Sequence, residues 1–139
     1  MNKETLKSIL YFLEKNDNKN KPFKWKLLNN EPLTEDELNF KGDLNLQFSK
    51  INSLPKGLKV RHSLFLENTK ITSLPEGLKV GYNLYLYNSG IKLLPKGLEV
   101  GKDLFIGNTL LAKLSDDELR EMVKPGFIKG EIIRQWRQK

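Results

Sequence analysis

The chain has 139 residues, enough for one domain, and 38% of them are hydrophobic. It contains no cysteine, which excludes disulfides, thiolate metal sites and a cysteine nucleophile. The formal net charge of +7 admits nucleic acid, an anionic surface or an acidic protein as partner without choosing among them.

In chain order, residues 3–15 place Leu6, Ile9, Leu10 and Leu13 on one face at helical spacing, with Asn2 as an N-cap. The apolar run Ile9–Leu13 ends at Glu14-Lys15 without a small-residue cleavage site, so it does not read as a signal peptide. No run approaches the roughly 20 apolar residues that span a bilayer. A cytoplasmic protein without a membrane partner is therefore expected. Phe23, Trp25 and Leu27 alternate with Lys24 and Lys26, which predicts a short strand. Thr34-Glu35-Asp36-Glu37 has capping-box spacing and predicts a short helix to about Phe40. Residues 1–41 are thus expected to form an N-terminal helical cap region.

Residues 42–114 repeat every 20 positions. Leu64, Leu66, Thr69, Ile71, Leu74-Pro75, Gly77-Leu78 and Val80 return as Leu84, Leu86, Ser89, Ile91, Leu94-Pro95, Gly97-Leu98 and Val100. The same frame stands one period earlier from Leu44 to Val60 and restarts at Leu104, Ile106, Thr109 and Leu111. A fixed short period with recurring apolar positions predicts a solenoid. Alternation along each short strand turns the leucines to one side and their neighbours to the other. Stacked turns then give three buried rows: Leu44, Leu64, Leu84, Leu104; Leu46, Leu66, Leu86, Ile106; and Ile51, Ile71, Ile91, Leu111. Pro55, Pro75 and Pro95 favour an extended or 3₁₀ return over a helix. Ser49, Thr69, Ser89 and Thr109 carry hydroxyls for the backbone groups freed where the chain leaves the sheet.

After the repeats, Ser115 and Glu118 again have capping-box spacing, which predicts a helical turn in place of the Pro-x-Gly-Leu segment. Pro125-Gly126 breaks the chain, and a final helix is expected from about Glu131, carrying Ile132, Ile133 and Trp136. Residues 115–139 are read as a C-terminal helical cap. Terminal units of this kind cover the open ends of a solenoid.

The frame resembles leucine-rich repeats, matching L-x-x-L-x-L-x-x-N-x-L from its second leucine, with Ser or Thr where Asn is usual. The resemblance is to the short 20-residue repeats of bacterial secreted effectors and of phage and bacterial proteins, over about residues 40–114. It implies an α/β fold: a short leucine-rich-repeat solenoid with a parallel β-sheet, capped by α-helices at both ends. It also implies a role in host interaction, such as inhibition of a host factor. Some effectors with similar repeats carry a ubiquitin-ligase domain that uses a cysteine, and this chain has none.

The outward strand positions form columns. One is Asn45, Phe65, Tyr85, Phe105, the next Gln47, Glu67, Tyr87, Gly107, and the flanking one Asp43, Ser63, Asn83, Asp103. Aromatics in line on a water-facing surface predict a protein-binding face of Phe65, Tyr85, Tyr87 and Phe105, with Glu67 and Asp103 setting its polarity. The duller alternative is that the rings pack across strands or lie under the N-terminal segment. The face carries no Lys or Arg. A phosphate backbone asks for basic groups, so nucleic-acid binding would use another edge, formed by Lys50, Lys70, Arg134 and Arg137. The plainer reading of these cations is a solubilising rim and a tail helix. His62 is the sole histidine, and Asp116-Asp117-Glu118 reads as a helix start. The expectation is a non-catalytic module without metal or cofactor.

Overall fold

The computed structural model describes residues 21–135. The expected helix at 3–15, and Trp136, Arg137 and Lys139 of the tail, lie outside them. The chain divides into two compact units, residues 1–33 and 34–139.

In the first unit, helix α1 spans Phe23–Leu28, with Pro22 at its N-cap position. This corrects the strand expected from the alternation of Phe23, Trp25 and Leu27. Three apolar residues over five positions are too few to separate a period of 2 from one of 3.6, and Lys and Leu are good helix formers. The alternation also misassigned Lys26, which is buried. Asn29 closes the helix by donating from Nδ2 to Trp25 O at 2.9 Å.

The second unit is a parallel solenoid of about three turns. Helix α2 (Glu35–Leu38) begins with the predicted capping box, in which Thr34 Oγ1 accepts from Glu37 N and Glu37 Oε1 accepts from Thr34 N. It ends at Leu38 rather than near Phe40, because Asn39–Phe40 is strand β1, paired with β3 (Lys59–Val60). Strands β2 (Leu44–Asn45), β4 (Leu64–Phe65), β6 (Leu84–Tyr85) and β8 (Leu104–Phe105) pair in parallel, each shifted by one period. The inward rows predicted from the repeat are all buried, and Leu44, Leu64, Leu84 and Leu104 are fully so. Each such side chain contributes about 1.5–3 kcal/mol of burial before entropy is subtracted.

The return segments are extended, as the prolines require, and they form a second parallel sheet that the repeat alone does not disclose. It runs β1-β3-β5-β7-β9, with β5 at Lys79–Val80, β7 at Glu99–Val100 and β9 at Phe127–Ile128. A turn leads into each of β3, β5 and β7. Gly57, Gly77 and Gly97 hold φ of 85, 77 and 82° there, which is why glycine recurs at that position.

After a 3₁₀ turn at Leu110–Lys113, helix α3 (Asp116–Met122) starts with the second predicted capping box at Ser115. The expected helix from Glu131 is instead strand β10 (Ile132–Ile133), paired with β8 at 28 positions' distance. The physical reason is the open edge of β8. Leu104 N and Ile106 N need acceptors and find Glu131 O at 2.9 Å and Ile133 O at 2.8 Å. Two adjacent isoleucines also suit a strand better than a helix. Ile132 then continues the leucine row and Ile133 the ring column.

Candidate partner-binding face

The outward column of the β2-β4-β6-β8-β10 sheet is built by strand register alone: Asn45, Phe65, Tyr85, Phe105, Ile133. Adjacent strands lie about 4.8 Å apart, close to the thickness at which flat rings stack. Tyr85 accordingly stacks on Phe65 at 4.6 Å and 7°, and on Phe105 at 4.6 Å and 10°. All three rings are half-buried. Both faces of Tyr85 and one face each of Phe65 and Phe105 are taken by this stacking, and the ring edges turn outward from the sheet. Asn83 Nδ2 donates to the Tyr85 hydroxyl at 3.0 Å and fixes the middle ring.

Tyr87 does not belong to the exposed face expected for it: it is 5% exposed. The cause is its neighbour one turn on. Gly107 has no side chain, and a Cβ there would stand 2.9 Å from Tyr87 Cδ1 and Cε1. The Tyr87 ring therefore lies down over Gly107, tilted 55° against Phe105 at 5.7 Å. It supports Phe105 from the side and does not present itself to a partner.

Asp103 is engaged within the chain. Its Oδ1 accepts from Glu131 N at 2.8 Å. The whole flanking column is engaged in this way. Asp43 Oδ1 accepts from Ser63 N at 2.8 Å, Ser63 Oγ from Asn83 N at 3.2 Å, and Asn83 Oδ1 from Asp103 N at 3.0 Å. These side chains tie each turn to the next.

Glu67 stands differently. It is half-buried, and its Oε1 is enclosed with no hydrogen-bond partner among the described residues. Burial pushes its carboxyl above the usual carboxylate range, against a weaker opposing pull from a backbone hydrogen bond.

Of the other predicted residues, Lys50 and Lys70 are exposed at the bends after the strands. Arg134 is not a free basic edge. Its guanidinium pairs with Asp116 Oδ1 at 2.6 Å and donates to Leu114 O at 2.7 Å. Arg137 lies outside the described residues. His62 is exposed at a bend, and no three His, Asp or Glu side chains gather into a metal-binding group among the described residues.

The hydroxyls of the repeat do not form a ladder from turn to turn. Thr69, Ser89 and Thr109 each donate to the carbonyl three residues earlier, at 2.8, 2.8 and 2.7 Å. The ladder is one position upstream. Asn88 Nδ2 donates to Asn68 Oδ1 at 2.6 Å, and Asn108 Nδ2 to Asn88 Oδ1 at 2.7 Å. These asparagines have φ of 56, 52 and 55°, a left-handed turn position that Asn tolerates.

In the first repeat this position is Phe48, with φ 60° and 74% exposure. A bulky residue held in this region and turned to water is unusual. The signal was available as the series 48, 68, 88, 108, in which one ring replaces three amides. Phe48 follows the same edge strand, β2, that begins the outward column.

The chain matches no protein-family model, no curated protein and no solved structure.

Proposed function

We propose that residues 34–135 form a non-catalytic binding module of the leucine-rich-repeat type that docks a protein on the Phe65–Tyr85–Phe105 stack. The stack carries this reading. Three rings held 4.6 Å apart by strand register lose little freedom on binding, so the face is pre-organised. Ring edges carry positive charge and favour the faces of a partner's aromatic groups or its carbonyl oxygens. Glu67, half-buried beside the stack, gives this face its acidic character and favours a Lys or Arg of that partner nearby. The complementary surface is thus an aromatic or aliphatic side chain with a basic group beside it. In this reading α2 and α3 cap the solenoid, and the protein works in the cytoplasm as a phage or bacterial factor that modulates a host protein. Nucleic-acid binding through Lys50, Lys70, Arg134 and Arg137 is the weaker reading, because Arg134 is already spoken for.

The test is differential capture. Tagged wild type and a Tyr85→Ala/Phe105→Ala variant with a matched thermal melt are used to pull proteins from the native cellular context, followed by mass spectrometry. The expected result is a protein held by wild type and released by the variant, with affinity lowered at least about 100-fold for the purified pair. A folded variant that keeps full affinity removes the proposal.

A further inference from the structure

The second sheet carries a cavity of about 420 Å³ that the ring face does not touch. Its walls follow from register. The outward positions across the five strands are Asn39, Lys59, Lys79, Glu99 and Phe127. Two residues further along each strand come Lys41, Arg61, Gly81, Gly101 and Lys129. The two glycines remove two successive side chains from this second row, leaving a notch between Arg61 and Lys129. The gap is enforced by the backbone. A Cβ on Gly81 would meet Arg61 O at 1.9 Å, and one on Gly101 would meet Gly81 O at 2.1 Å.

The notch is strongly positive. Lys41, Lys59, Arg61, Lys79 and Lys129 line it against Glu99 as its sole carboxylate, a balance of five cations to one anion, or +4. Glu99 is satisfied by Lys79 at 2.8 Å. Lys41, Lys59 and Arg61 make no ion pair among the described residues, and all three are exposed. At the far end, Phe127 is 40% exposed with the Lys129 ammonium 5.6 Å from its ring centre.

We propose that this notch binds a single-stranded oligonucleotide running across the strands, its phosphates held by Lys59, Arg61 and Lys41 and a base stacked on Phe127. Several cations without an ion pair among the described residues, beside an exposed ring, are the combination that holds single-stranded nucleic acid. The cavity volume falls within the range of small-ligand sites. An acidic peptide is disfavoured by the geometry. Extended peptides add to sheet edges, whereas the notch lies on a sheet face floored by Gly81 and Gly101. The strands that carry Lys59 and Phe127 stand three spacings, about 14 Å, apart, a span for a strand rather than for a free nucleotide.

The experiment uses the full chain and a fluorescently labelled oligo-dT in anisotropy titrations, with AMP and a poly-glutamate peptide as competitors. Binding is expected at about 50 mM salt, weakening with a log–log slope near about −2 if three phosphates are engaged. Lys59→Glu/Arg61→Glu should lower affinity at least about tenfold, and Phe127→Ala at least about fivefold. Lys50→Glu/Lys70→Glu should change it little. Oligonucleotide binding that AMP does not displace supports the proposal, and full displacement by AMP overturns it. No oligonucleotide binding at low salt also overturns it. So does loss only in the Lys50/Lys70 variant, or displacement by poly-glutamate with no effect of Phe127→Ala.

Discussion

Phe48 carries a conformational burden that its counterparts avoid. The left-handed region costs a side chain with a Cβ roughly 1–2 kcal/mol, and Asn relieves part of this through local hydrogen bonding. Phe48→Asn also places an amide in line with Asn68, at the open end of the ladder. The variant should be more stable by about 0.5–1.5 kcal/mol, a rise of several degrees in Tm by circular dichroism. If it also binds the captured partner more weakly, Phe48 belongs to the docking face. Glu67 supplies a second residue-level prediction. Its folded carboxyl titrates above the usual range because of burial. From about pH 4 upward the unfolded chain gives up this proton first. The folded state then holds more protons, so stability falls as pH rises through that window and stays lower at neutral pH. Glu67→Gln should therefore melt higher at pH 7 and flatten the fall in stability that begins near about pH 4, as thermal scans at several pH values would reveal.

At the scale of elements, the decisive contact is the one that brings β10 to the open edge of β8. Arg120, on α3, donates from one guanidinium nitrogen to Ile128 O and from the other to Gly130 O, the latter at 2.8 Å. It thereby fixes the link between β9 and β10. Hydrogen bonds from charged donors contribute about 1.5–3 kcal/mol each. Arg120→Ala should destabilise by about 2–4 kcal/mol. The Leu104 and Ile106 amides, which donate to Glu131 and Ile133, should lose exchange protection before those of Leu64 and Leu66. Lysine should not rescue, because one ammonium cannot span two carbonyls as a fork does. Legibility also divides at this scale. Both capping boxes and every strand from β2 to β8 that opens on a repeated leucine follow from local spacing. Strand β10 does not, since its partner lies 28 positions away and outside the 20-residue phase. Helix α1 was misread because Phe23, Trp25 and Leu27 fit either period.

For the solenoid unit as a whole, the inward rows were legible because a leucine every 20 positions leaves little choice of what lies inside. The ring column was legible for the same reason, one position over. What the repeat could not disclose were features that depend on a neighbour's missing side chain or on a backbone's free groups. Tyr87 lies down because Gly107 is bare, and Asp103 is tied up because Glu131 N needs an acceptor. The second sheet arose from extended returns whose Lys59, Lys79 and Glu99 looked like ordinary surface residues. Among the described residues no helix is long and apolar enough to cross a membrane.

The 20-residue register has one more consequence. Every turn contributes an equal share to each row, so the molecule is extensible in whole units. Splicing a duplicate of residues 71–90 after Gly90, with Tyr87→Gln in the upstream copy because that ring needs a bare neighbour one turn on, would lengthen the ring strip by a tyrosine and the amide chain by an asparagine. It would also widen the glycine-floored notch by one strand. Size, and with it the reach of both surfaces, can therefore be altered by tandem duplication without redesigning either terminus.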